Sequence, residues 1–181
     1  MPKVAVVILN WNGCSHLVKY LPSVIEYSSE HAEIVVIDNG STDKSNEWLK
    51  KQHPHVRVIR LKENKGFAGG YNAGLKEIDA EVFVLLNSDV RVSPNWIPPV
   101  LNAMRKEDFV ACQPLIRNDT DPELFEYAGA AGGFIDRDGF TFCAGRIFEV
   151  FETDEGQYNT NREVFWASGA ALFIQVSAWH E

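Results

Sequence analysis

Apolar residues in this chain fall in short runs with polar breaks between them. Lys3 to Leu9 (KVAVVIL), Glu33 to Ile37 (EIVVI), Val56 to Leu61 and Val82 to Leu86 (VFVLL) are the main early runs. They are rich in β-branched residues and short, which is the pattern of strands buried inside a parallel sheet. Leu17, Leu21, Val24 and Ile25 recur near helical spacing and predict a helix over Cys14 to Tyr27, bent or interrupted by Pro22. A second helix is predicted from an N-cap at Ser41 or Thr42 through Trp48 and Leu49 to about Gln52. Asp43 and Glu47 would lie in its first turns, where the helix dipole favours them. Phe67 to Ile78 reads as a third helix despite its glycines, and Pro94 to Arg105 as a fourth after the Ser93-Pro94 start signal.

The first 106 residues therefore read βαβαβαβα, an α/β pattern. It implies a Rossmann-like, mostly parallel sheet with helices on both faces and right-handed crossovers. The expected strand order at its centre is 3-2-1-4, with the reversal between strands one and four. Ligands in such sheets bind beyond the carboxyl ends of the strands at that reversal. After Asp108 the texture changes. Phe109 to Ile116 predicts a strand, with Pro114 marking an edge or a bend. Asn118 to Glu123 is turn-rich. Gly129 to Gly145 is glycine-rich and carries an Asp138-Gly139 hairpin signal between Phe134-Ile135 and Phe140-Thr141-Phe142. Phe148 to Asn161 is polar and acidic, the composition of a mobile loop. Val164 to Val176 returns to a buried pattern broken at Ser168-Gly169. There is no internal repeat or linker, so the 181 residues are expected to form one domain.

Three predicted strand ends are polar: Asn10-Trp11, Asp38-Asn39 and Asn87-Ser88-Asp89. Asp89 would supply a hard oxygen ligand for Mg²⁺ or Mn²⁺, the ions that neutralise a diphosphate. Asn87 and Asp89, two apart, point to one side if the segment is extended. The plainer role is an Asx turn that ends the strand. Asp38 either starts the turn into the next helix or accepts hydrogen bonds from a ribose hydroxyl or a base N–H. Gly66, Gly69, Gly70 and Gly74 serve close packing of a helix on the sheet, or close backbone approach to a ligand, or both. This stretch is not a G-x-G-x-x-G and follows the third strand, so no dinucleotide fingerprint is met; no P-loop and no G-x-S-x-G elbow occurs either.

Composition changes this picture little. The chain is 45% hydrophobic and 23% charged, ordinary for a globular protein, and its net charge of −8 argues against nucleic acid as a partner. Cys14, Cys112 and Cys143 are isolated, which fits free thiols in a reducing, cytoplasmic setting rather than a disulfide framework. Val4 to Leu9 is too short for a signal-peptide core, and no apolar stretch reaches membrane-spanning length. The five histidines show no metal-binding spacing.

Four motifs now stand in order: VAVVILNWNG (4–13), IVVIDNGSTDKS (34–45), ENKGFAGGYNAG (63–74) and LLNSDV (85–90). Together they resemble the family 2 glycosyltransferases of the GT-A fold. The later stretches EYAGAAGGFIDRDGF (126–140) and FWASGAALFI (165–174) are similar to the rhamnosyltransferase-like branch that builds bacterial surface polysaccharides. The resemblance implies an inverting transfer from a dTDP-, UDP- or GDP-sugar to a saccharide or lipid-linked saccharide acceptor, with Mg²⁺ or Mn²⁺ as cofactor. It divides the domain into a nucleotide-binding half (1–106) and an acceptor-side half (107–181). It implies a donor site built from Leu9, Asn10, Trp11, Asp38, Asn39, Gly40, Asn64, Gly66, Phe67, Asn72, Asn87, Ser88, Asp89, Gly169 and Ala170. Asp38 would contact the nucleoside. Asn87-Ser88-Asp89 would stand for the family's D-x-D motif, with Asp89 and Asn87 nearest the metal and Asn87 in place of the usual first aspartate. The family's general base follows the strand after Ser168-Gly169-Ala170. It is expected beyond Glu181, which makes the acceptor-side half incomplete and the chain a truncated one. His180 and Glu181, at a frayed end, are poor substitutes. A peripheral membrane association of the full-length protein is compatible with such acceptors. The rivals are a nucleotidyltransferase, which would need a basic glycine-rich loop after the first strand, and a non-catalytic nucleotide-sugar-binding fragment.

Overall fold

The computed structural model describes residues 3–126 and 131–180. Part of the EYAGAAGG stretch, the start of the glycine-rich segment and Glu181 lie outside them. Four strands, β1 (Val4–Asn10), β2 (Glu33–Asp38), β3 (Arg57–Arg60) and β4 (Val82–Asn87), pair in parallel in the order β3-β2-β1-β4. Two more strands continue the sheet, so the full order is β3-β2-β1-β4-β10-β5, with β5 at Ala111–Cys112 and β10 at Ala171–Gln175. β10 runs antiparallel to both neighbours, which makes the sheet mixed.

Alternation along the strands divides the core into two layers. Val4, Val6 and Ile8 of β1 point to one face, where they meet Leu17, Leu21 and Val24 of α1 (Cys14–Ser28), Leu49 of α2 (Ser45–Gln52), and Ile97 and Met104 of α4 (Ile97–Glu107). Ala5 and Val7 point to the other, where Tyr71 of α3 (Gly66–Gly74) and Leu75 and Ile78 just after it pack. A short α5 (Val176–Trp179) follows β10, with Trp179 against that second layer.

Several local expectations change. Pro22 does not end α1, because buried Leu17, Tyr20, Leu21 and Val24 hold the helix to the sheet through it. α2 begins at Ser45, not at Ser41 or Thr42, so Asp43 precedes the helix while Glu47 stays in its first turn. α3 begins one residue early and passes into a 3₁₀ turn at Leu75–Glu77. α4 starts at Ile97 with Pro98 and Pro99 in its first positions; Ser93-Pro94 lies in the loop before it. The long strand expected over Phe109 to Ile116 shrinks to two residues on the sheet edge, consistent with Pro114 lacking a donor.

The hairpin around Asp138-Gly139 is present. β6 (Gly133–Ile135) pairs antiparallel with β7 (Thr141–Cys143), with Gly139 at φ +90°. The acidic 148–161 stretch is tied down rather than loose. β8 (Arg146–Ile147) pairs with β9 (Val150–Phe151), Thr153 bridges to Leu124, and Asp154 pairs with Arg117.

Candidate functional site

β1, β2 and β4 end level with one another: Asn10 is paired with Asp38, and Leu9 with Asn87. The reversal of strand order lies between β1 and β4, so these polar ends flank one crevice. Asn10 is fully buried; its Nδ2 donates to Ser41 Oγ at 3.2 Å, and its Oδ1 has no partner among the described residues. Asp38 is buried, accepting Asn46 Nδ2 at 2.7 Å and, at 3.4 Å, the Ser41 backbone N–H. The plain reading of Asp38 holds, since it builds the turn out of β2, and its place at the end of β2 sets it beside the crevice.

Asn39 is buried one residue on and organises the next loop. Its Nδ2 donates to Asn64 Oδ1 (2.9 Å) and to the Gly66 carbonyl (3.0 Å), and its Oδ1 accepts the Lys65 N–H (2.9 Å). Asn64 also accepts the Gly66 N–H at 2.8 Å. Gly40 has φ +73°, and a Cβ there would lie 2.6 Å from the Glu63 carbonyl carbon, so the β2 turn and the 63–66 loop fit only with glycine. Gly70 faces the same floor: a Cβ would sit 2.8 Å from Leu9 Cδ1 and 2.9 Å from Asn39 Nδ2.

On the β4 side, the Asn87 N–H donates to the Ala170 carbonyl at 2.9 Å, which brings the 168–170 segment over the crevice. Ser168 is fixed in turn: its N–H donates to Gln113 Oε1 at 2.5 Å, and its Oγ accepts the Ala170 N–H at 3.2 Å. A Cβ on Gly169 would lie 3.5 Å from Phe67 Cζ, so the start of α3 and this segment meet. Trp11 and Phe67 are both more than half exposed, at 57% and 56%, and offer open aromatic faces. Most of the expected donor residues are thus brought together. Asn72 stands apart, exposed on α3 and, among the described residues, without a bond joining it to the others.

The metal expectation is refined. Residues 87–90 form a turn closed by the Val90 N–H on the Asn87 carbonyl (3.3 Å), so the alternation argument for Asn87 and Asp89 does not apply. Asp89 is exposed, and Asn87 and Ser88 are half-buried beside it. Among the described residues no group of three or more His, Cys, Asp or Glu converges on one point. The donor set is one carboxylate with neighbouring amide and hydroxyl oxygens. That fits an Mg²⁺- or Mn²⁺-type ion taking most of its ligands from a diphosphate and water.

Sequence reasoning missed the clasp between the two loops at β1 and β2. Asn12, in the left-handed region at φ 52°, accepts the Thr42 N–H (2.7 Å) and the Asp43 N–H (3.2 Å), and its own N–H donates to Ser41 Oγ (2.9 Å). Asp43 reaches back to accept the Cys14 N–H at 2.9 Å, capping α1 from outside its own segment. Burial would raise the Asp43 pKa; the bonds from Ser45 and from the Cys14 N–H outweigh it and hold the carboxyl below the ordinary range. The asparagine in N-W-N-G was the available signal, since asparagine tolerates that backbone region.

The model of the family described as "Glycosyl transferase family 2" matches residues 5–174. The chain belongs to this family. It is 33% identical over 141 residues to an N-acetylgalactosaminyltransferase 7 of Drosophila melanogaster, covering 73% of this chain and 24% of that protein. The family member's fold is similar to that of GalNAc-T7 with UDP, GalNAc and Mn²⁺. That match has a TM-score of 0.69 at 21% identity, over 99% of this chain and 36% of that one. It is also similar to the mannosyltransferase PcManGT of Pyrobaculum calidifontis in complex with GDP-Man and Mn²⁺, with TM-score 0.57, 20% identity, and 66% and 37% of the two chains covered. At these identities the structures speak to the fold alone, and it is the α/β, GT-A-like fold with the 3-2-1-4 core. The chain spans well under half the length of each of these proteins. No helix among the described residues is long and apolar enough to cross a membrane.

Proposed function

We propose that this chain carries the donor-binding half of an inverting glycosyltransferase that uses a nucleotide-diphosphate sugar and a divalent cation. The observation that carries the reading is the convergence of Asn10, Asp38 and Asn87 at the β1/β4 reversal, with the 64–67 loop and the 168–170 segment around them. Asp38 receives the nucleoside, with Trp11 and Phe67 as open aromatic faces beside it. Asp89, with Asn87, holds the cation over the diphosphate; a cation bound there would neutralise the departing charge. Gly169 and Ala170, lacking bulk, leave room for the sugar. Residues 107–181 face the acceptor. The GDP-Man and Mn²⁺ of one fold relative, and the UDP, GalNAc and Mn²⁺ of another, support a hexosyl donor. The resemblance of 126–140 and 165–174 supports rhamnosyl transfer in surface polysaccharide synthesis as the specific reaction to try first.

Calorimetric titration with UDP, dTDP, GDP and NAD, each with and without Mn²⁺, tests this. A diphosphate should bind with Mn²⁺ dependence. Asp89→Ala should remove that dependence, while Asp38→Ala should weaken nucleoside binding and leave it in place. Binding of NAD but of none of the diphosphates refutes the reading.

A further inference from the structure

Two residues beyond Asp89, Arg91 leaves the crevice and enters an ion cluster. Its Nε donates to Asp119 Oδ1 at 2.9 Å. The other oxygen of the same carboxylate accepts Lys19 Nζ at 2.8 Å and Tyr20 Oη at 3.0 Å, both from α1. Lys19 also donates to Tyr20 Oη at 2.6 Å, and the Arg91 guanidinium lies 5.6 Å from the Tyr20 ring centre. Asp119 is the least exposed charge of the cluster, at 27% against about half for Lys19 and Arg91. It is also held from behind. Asn118 Oδ1 accepts the Thr120 and Asp121 N–H groups at 2.9 and 3.1 Å, and Arg117 and Phe125 bridge across the base of the loop.

The turn that bears Asp89 is held at its two ends, by the Asn87 N–H on the Ala170 carbonyl and by half-buried Val90 against the core. Between them one backbone bond of 3.3 Å closes it, Asp89 is exposed, and Arg91 on its far side is exposed as well. We propose that Asp119 is a positioning residue for the candidate metal-binding turn. By gripping Arg91 from a braced loop of the acceptor-side half, it fixes residues 88–91 so that Asp89 is presented in one place. A carboxylate that is the main protein ligand of an ion gains most from such fixing, since it has no neighbouring carboxylate to share the task. The inference rests on the metal reading of Asp89 proposed above.

The test compares Asp119→Asn with Lys19→Met. The first weakens the hold on Arg91; the second removes an equally short ion pair at the same carboxylate and leaves Arg91 in place. Two readouts are taken on the wild-type chain and both variants. One is Mn²⁺ affinity in the presence of saturating UDP or dTDP, followed by the electron paramagnetic resonance of free Mn²⁺. The other is amide hydrogen exchange at Val90. Asp119→Asn should weaken Mn²⁺ affinity by about fivefold, the upper end for a partly exposed ion pair, and speed exchange at Val90. Lys19→Met should change neither, whatever it does to the melting temperature. Equal Mn²⁺ loss in both variants, or none in Asp119→Asn, overturns the proposal. A wild-type chain that shows no Mn²⁺ response overturns the metal reading. Exchange at Val90 then decides separately whether Asp119 pins the turn, and unchanged exchange overturns that as well.

Discussion

Gly69 and Gly74 lie on one helix, and the same substitution at each should move stability in opposite directions. Replacing glycine by alanine inside a helix gains about 0.5–1 kcal/mol from reduced freedom of the unfolded chain. At Gly69 little opposes that gain. A Cβ would meet only Lys65 Cβ, at 3.2 Å, and the exposed backbone at the start of α3 need give by only a few tenths of an ångström to relieve it. At Gly74 the Cβ would lie 2.4 Å from Ile37 Cδ1 and 2.6 Å from its Cγ1, and Ile37 is fully buried in β2. Ile37 must leave its rotamer or α3 must lift from the sheet, and overpacking of this kind costs about 1–3 kcal/mol. The net for Gly74→Ala is a loss of about 1–2 kcal/mol once the helical gain is subtracted. For a domain of 181 residues that is a melting temperature lower by about 3–6 °C, against a rise of about 1.5–3 °C for Gly69→Ala. Thermal unfolding followed by far-ultraviolet circular dichroism, with urea unfolding as a second measure, would read both. Shifts of the same sign would refute the claim that close approach to β2, rather than glycine in a helix as such, sets the cost.

Gly70→Ala should act on the site: its Cβ would press on the Asn39 amide, which holds Asn64 and the Gly66 carbonyl, so nucleotide affinity should fall more than stability does, as calorimetry beside a melting curve would show. Asn12→Ala loses both an acceptor for the Thr42 N–H and a residue suited to positive φ, whereas Asn12→Gly loses only the acceptor; alanine should cost roughly 1 kcal/mol more in urea unfolding. The Lys19 and Arg91 bonds hold the Asp119 carboxyl at about 2, below its ordinary 3.8, so its stabilisation is complete above pH 4 and is lost as pH falls through 2. Screening at this partly exposed site limits it to about 1 kcal/mol, and acid unfolding of Asp119→Asn should lack that component.

Much of the architecture is legible in the sequence. Runs such as VFVLL can be buried only on both faces of a sheet, and four of them alternating with amphipathic stretches leave few topologies open. The reversal between β1 and β4 follows from that, and with it the crevice beside Asn10, Asp38 and Asn87. Local chemistry was also readable where one residue type meets one backbone need, as at Asp138-Gly139.

What the sequence could not carry was anything made by residues far apart in it. β10 enters the sheet antiparallel between β4 and β5, about eighty residues after its partner β4, and nothing in its own apolar run states a direction. The start of α2 moved because Asp43 is engaged by the Cys14 N–H, a bond formed only when two loops meet. The four glycines of α3 look alike in sequence. Only the packing separates Gly70 and Gly74, against Asn39 and Ile37, from Gly69, which faces outward. Asp119 was one acid in a turn-rich loop, and its pairing with Arg91 and Lys19 exists because the fold carries that loop to the flank of α1. Strand burial and turn chemistry are local properties that short sequence patterns specify, whereas loop-to-loop bonds depend on where the whole sheet places the chain.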